Sequence, residues 1–269
     1  MNGVGTSGDT KFARLRTAQR IWAVAAIHGQ AERLGRLHDR IAARFGEGDA
    51  IVYLGNYVGH GSAVKATLDE LLGFRLRVLA RPHGFACDVV FLRGAQEEIW
   101  QKLLQLQFAS NPGEVLTWMV QAGIEATIRD YGGELRQGFA AARDGPRTIT
   151  RWTTGLRNAM NAAPGHTALF AALRHAAIGE KLLFVHAGID PSRPLASQGD
   201  RFWWGGRDIL DLHEPFDGFA RVVRGFDRQQ RGVVEREFSV SLDGGAGRGG
   251  PLMAALFAPD GSILEVLDA

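Results

Sequence analysis

Ala50-Ile51-Val52-Tyr53-Leu54-Gly55-Asn56-Tyr57-Val58-Gly59-His60-Gly61 is an apolar run rich in β-prone residues that stops at a glycine and continues as a Gly-rich loop. A short apolar run bounded by a turn signal reads as a buried strand, Ala50 to Leu54. Renewed apolar periodicity after the loop predicts a helix near Ala63 to Leu72. Strand, glycine loop and helix form the repeating unit of α/β proteins, whose ligand sites lie at the carboxyl ends of the strands.

The same unit appears on both sides of this stretch. Upstream, strand Ile21 to Ala26 meets a loop at His28-Gly29 and an amphipathic helix from about Ala31 to Phe45. Downstream, strand Asp88 to Leu92 meets Gly94 and a helix beginning near Glu97. Residues 97–176 read as mostly helical, with breaks at Asn111-Pro112-Gly113, Tyr131-Gly132-Gly133 and Pro164-Gly165, which predicts a helical cap on the sheet. Beyond it, buried strand Lys181 to Val185 ends at His186-Ala187-Gly188. Strand-like runs follow at Arg221 to Val223, Phe238 to Leu242, Pro251 to Phe257 and Ile263 to Val266, with hairpins expected through Gly244 to Gly250 and Asp260-Gly261. With no internal repeat or long linker, residues 21–269 are expected to form a single domain. Residues 1–20 are rich in Gly, Ser, Thr and Asp and carry Lys11, Arg14, Arg16 and Arg20 without an apolar core. They read as a flexible tail rather than a secretion signal.

Composition narrows the functional classes. The chain has 269 residues, 45% of them apolar, enough for a substantial core. Its 31 basic and 29 acidic side chains nearly cancel and the basic ones are scattered, which argues against nucleic-acid binding. Cys87 is the only cysteine, so an internal disulfide and a cysteine zinc cluster are excluded, and a reducing, cytoplasmic setting is expected. No run approaches the roughly 18 apolar residues needed to cross a bilayer, so no membrane partner is expected.

Four segments sit at strand ends: Ala26-Ile27-His28-Gly29, Gly55 to Gly61, Arg93-Gly94-Ala95-Gln96-Glu97, and His186-Ala187-Gly188. In this order they resemble the calcineurin-like metallophosphoesterases, within them the bacterial serine/threonine phosphatase and diadenosine tetraphosphatase branch. Those enzymes read GD-x-HG, GD-x-x-DRG, GNHE and H-A-G. Flanking residues extend the match from about Ile21 to Val266, including Trp118 and Asp243-Gly244-Gly245-Ala246. The resemblance implies a sandwich of two mixed sheets flanked by helices. It also implies a pair of ions, such as Mn or Fe/Zn, that activate a water and clamp phosphoryl oxygens.

The sequence departs from the pattern at the positions that carry chemistry. Ala26 stands at the first Asp, Asn56 at the bridging Asp, Ala95 at the Asn ligand and Gln96 at the general acid. On the second loop Gly59 replaces the other Asp and His60 the phosphate-binding Arg, while Val223-Arg224-Gly225-Phe226-Asp227 puts Phe226 at the last His ligand. Only His28 and His186 remain as family ligands, one for each expected ion. The residues that shape the loops, Gly29, Gly55, Gly61, Gly94, Glu97 and Gly188, are all kept. For Glu97-Glu98, stabilisation of a helix N-terminus is the expected role.

This pattern implies a pseudophosphatase: no resident metal, and a remnant groove of His28, Asn56, His60, Gln96, His186, Arg224 and Asp227. Having lost three expected carboxylates (positions 26, 56 and 59), the groove should be less negative than its relatives and suited to an anion, with Arg207 and Arg224 as candidate phosphate ligands. The expected partner is a protein, with a phosphorylated ligand or nucleotide as a further candidate. The competing expectation is a metal-dependent phosphoesterase with a reduced site that recruits a ligand such as Asp227.

Overall fold

The computed structural model describes residues 11–15 and 18–269. In chain order the strands and helices begin with β1 (Phe12–Arg14), β2 (Arg20–Val24), α1 (Ala31–Ala42), β3 (Asp49–Tyr53), α2 (Val64–Leu79) and β4 (Val89–Phe91). A helical block follows: α3 (Ala95–Leu103), α4 (Pro112–Gln121), α5 (Glu125–Asp130), α6 (Leu135–Asp144), α7 (Pro146–Ala162) and α8 (His166–Ala171). The chain then returns to strands with β5 (Ala176–Ile178), β6 (Leu182–Val185), the short α9 (Arg201–Trp204), β7 (Arg221–Arg224), β8 (Val234–Glu235), β9 (Ser239–Ser241), β10 (Met253–Phe257) and β11 (Ile263–Asp268).

Two mixed sheets face one another, in the orders β1-β5-β6-β7-β9-β8 and β11-β10-β2-β3-β4. Side-chain alternation explains the layering. In β2, Ile21 and Ala23 point between the sheets while Trp22 and Val24 point under the helices. In β6, Leu182 and Phe184 point between the sheets and Leu183 and Val185 to the opposite face, against Phe202 and Trp203. Strands covered on both faces read as unbroken apolar runs, which is why β3 and β6 stand out in the sequence. Among the described residues no helix is long and apolar enough to cross a membrane.

Several expectations need correction. Residues 1–10 and 16–17 of the expected tail lie outside the described residues, but Phe12–Arg14 pairs in parallel with Ala176–Ile178 as an edge strand. Phe12 is held by Phe202, ring centroids 5.9 Å apart, a long-range contact that local composition does not announce. The Gly244 to Gly250 segment is not a hairpin. It carries the chain from β9 in one sheet to β10 in the other. The β10–β11 hairpin does form, around Asp260-Gly261. Helix α2 runs to Leu79, beyond the expected end at Leu72, and the helical block stops at Ala171 because Ala176 belongs to β5.

Candidate functional site

Strands β2, β3 and β4 are mutually parallel, as are β6, β7 and β9, so the loops that follow them gather at one end of the sandwich. The first two loops interlock through their backbones. The N–H groups of Ile27 and His28 donate to the Asn56 carbonyl at 3.0 and 2.6 Å, and the Gly61 N–H donates to the His28 carbonyl at 2.9 Å. His28, Asn56 and His60 adopt left-handed φ values of 55°, 54° and 48°. Two glycines are required by close approach: a Cβ at Gly61 would lie 2.3 Å from the His28 carbonyl oxygen, and one at Gly94 would lie 2.3 Å from the Asn56 nitrogen.

Glu97 fixes the second and third loops. Its fully buried carboxylate accepts from the N–H groups of Asn56 (2.8 Å), Tyr57 (2.8 Å), Val58 (3.3 Å) and Gly94 (2.9 Å). Burial pushes this carboxyl above its ordinary value, and the backbone donors pull the other way. Glu97 is therefore a clamp between loops, a role beyond that of a first-turn helix acid.

His28, Asn56, His60, Ala95, Gln96 and Phe226 line one groove of about 330 Å³, whereas His186, Arg224 and Asp227 of the expected remnant groove do not line it. Within it the Gln96 N–H donates to Asn56 Oδ1 at 2.9 Å, and Asn56 Nδ2 lies 3.4 Å from His28 Nε2. The Phe226 ring stacks on His186 with centroids 5.3 Å apart and packs edge-on to His28 at 6.2 Å. His186 is wholly buried, and its Nδ1 lies 2.6 Å from the Leu54 carbonyl oxygen, the geometry of an Nδ1–H donor. Burial drives the His186 pKa down to about 4 and that of His28 well below its ordinary value, with the neighbouring His60, His186 and Arg248 adding to the effect at His28. Burial also lowers His60. All three imidazoles are thus neutral near pH 7.

The residues present do not fit a two-metal centre. Among the described residues no three His, Cys, Asp or Glu side chains converge where an ion could be held. His28 Nδ1 and His186 Nε2 are buried without partners, but Phe226 packs against both rings, Asn56 Oδ1 is engaged by a backbone N–H, and Ala26 and Ala95 offer no donor atom. A single imidazole nitrogen per ion falls far short of the usual three or four protein ligands.

The expected phosphate ligands are also placed differently. Arg224 is buried and tied into a charge quartet: it pairs with Asp208 at 2.9 Å and Asp227 at 3.2 Å, while Arg231 pairs with the same two carboxylates at 2.5 and 2.6 Å. Burial raises the Asp227 carboxyl, but the Arg231 and Gln229 hydrogen bonds and the field of Arg224 outweigh it and hold the group below its ordinary value. Neither Arg224 nor Asp227 lines the groove, and neither does Arg207, which is exposed. The cations that do line it are Arg228 and Arg248, both exposed. Trp118 and Trp204 form an aromatic wall with ring centroids 5.8 Å apart. Sequence reading missed both arginines, although each lies on a loop that follows a carboxyl strand end, β7 for Arg228 and β9 for Arg248. That placement was the available signal.

No family model and no curated protein matches the chain. Solved structures do. A protein assigned as a diadenosine tetraphosphatase matches with TM-score 0.50 and 21% identity, over 96% of this chain and 98% of its own. A protein serine/threonine phosphatase from Saccharomyces cerevisiae matches with TM-score 0.53 and 14% identity over 96% and 83%. A cold-active protein-tyrosine phosphatase of a psychrophilic Shewanella species matches with TM-score 0.52 and 13% identity over 96% and 82%. This chain has the calcineurin-like metallophosphoesterase fold.

Proposed function

We propose that this metallophosphoesterase-like chain is a pseudophosphatase, a cytoplasmic binding or regulatory module whose groove holds a phosphorylated segment of a protein partner without hydrolysing it. The observation that carries the reading is the chemistry of the groove: exposed Arg228 and Arg248 stand beside His28, His60 and an aromatic wall, with Asp243 as the one carboxylate in the lining. Guanidinium groups recognise phosphate oxygens through paired charged hydrogen bonds and need no metal to do so.

The test uses the purified chain loaded with manganese and then desalted. Bound metal and hydrolysis of para-nitrophenyl phosphate are measured on the same sample. The expected result is substoichiometric metal and hydrolysis at the buffer rate, with phenyl phosphate still raising the Tm of wild type but not of an Arg228→Glu, Arg248→Glu double variant. Stoichiometric manganese with turnover at ordinary enzyme rates would replace this reading by an active phosphoesterase with a reduced site.

A further inference from the structure

A second cavity, of about 610 Å³, lies away from the groove, among residues of β1, β4, α2 and α8. Each sheet ends here on a short edge strand, β1 in one and β4 in the other. The chain between α8 and β5 crosses the seam, where the Arg174 N–H donates to the Phe91 carbonyl and the Arg93 N–H donates to the Arg174 carbonyl. Leu72, Val89, Phe91 and Leu169 give the cavity an apolar lining. Arg14, Arg75 and Arg174 also line it, and no Asp or Glu does. Among the described residues none of these three guanidiniums has a hydrogen-bond or ion-pair partner. Elsewhere arginines such as Arg20, Arg77 and Arg224 are matched with carboxylates.

Unmatched guanidiniums beside an apolar lining complement a molecule with an anionic head and an alkyl body. The volume falls within the usual range for small-molecule sites. Edge strands of three residues each offer little ladder for an added peptide strand, which favours a compact amphiphile. We propose that this cavity binds a single-chain amphiphilic carboxylate, a medium- or long-chain fatty acid. Its carboxylate pairs with the arginines and its chain lies along Leu72, Val89, Phe91 and Leu169.

Cys87, the only cysteine, lines the same cavity and is half-buried, so its modification reports occupancy. The probe is laurate below its micellar concentration, with dodecanol as the uncharged control. Binding is read by titration calorimetry on the full chain and location by the rate at which Cys87 reacts with a disulfide reagent. Laurate should bind and slow the reaction, dodecanol should do so more weakly, and an Arg75→Glu, Arg174→Glu variant should need on the order of tenfold more laurate. Ala168→Trp places bulk in the cavity from an exposed helix position, so it should abolish protection while leaving the fold intact even if the charge reversals fail to fold. The proposal is overturned by absence of laurate binding, by binding that leaves the Cys87 rate unchanged, or by equal protection from dodecanol. Protection of Cys87 that grows with protein concentration alone would assign the face to a second copy of the chain and overturn it as well.

Discussion

Glu97 carries more of the site's order than any other side chain in these loops, because one carboxylate ends four backbone N–H groups that burial would otherwise leave without acceptors. Glu97→Gln replaces one acceptor oxygen by a donor facing those N–H groups. It should lower the unfolding free energy by about 2–4 kcal/mol in urea titrations. Glu114→Gln, at an exposed first-turn acid of α4, should cost less than about 0.5 kcal/mol. Equal effects would return Glu97 to an ordinary helix-end role. Gly59 and Gln96 form another unit. A Cβ at position 59 would sit 2.3 Å from Gln96 Oε1, so an Asp there would require the Gln96 side chain to move. The sequence showed both departures but not their linkage, since the residues lie on different loops.

Helices α1 and α2 meet through a buried polar contact that periodicity alone does not reveal. His38 stacks on Phe74 at 4.0 Å, its Nδ1 lies 2.5 Å from Glu70 Oε1, and its Nε2 lies 2.8 Å from the Tyr53 hydroxyl. A neutral imidazole satisfies both partners, with Nδ1–H donating to the carboxylate and Nε2 accepting from the phenol. Burial lowers the His38 pKa despite Glu70, while the hydrogen bond from His38 is the main cause that lowers Glu70. The unfolded chain therefore takes up the His38 proton first. The His38 contribution is complete above about pH 6.5 and falls as pH drops below it. That of Glu70 is complete above its ordinary value of 4.5 and is lost as pH falls through its lower folded value. Urea midpoints should fall between pH 7.5 and 5.5, and by less in His38→Gln; an unchanged pH dependence in that variant would refute the assignment. At this scale β2, β3, β4 and β6 were legible because two-sided burial leaves continuous apolar runs. Strands β1, β5 and β8 were not, being short edge or flanking pieces whose existence depends on distant partners.

For the molecule as a whole, the loop scaffold and the donor atoms on it are separable. Patterning gave the strand–loop–helix units and the family resemblance the two-sheet sandwich, so a groove among the strand-end loops was a readable expectation. Its charge was not, because whether Arg224 is free or neutralised depends on Asp208, which reaches it from a separate loop. If only donors are missing, restoring them together should restore metal affinity. Asn56→Asp alone places a carboxylate at a site that is 1% exposed and should cost roughly 3 kcal/mol with no cation to offset it. Combining it with Ala26→Asp, Ala95→Asn and Phe226→His adds two carboxylates in total and frees His186 and His28 from the stacked ring, while Gly59 is left unchanged to spare its contact with Gln96. Manganese should then raise the Tm of the combined variant by several degrees, about 2.7 kcal/mol at roughly a hundredfold excess over Kd. It should leave wild type and each single variant unmoved. An equal rise in wild type would mean that the existing loops already hold an ion. No rise in a combined variant that still folds would mean that the backbone itself has moved away from metal-binding geometry, leaving the groove to Arg228, Arg248 and the tryptophan wall.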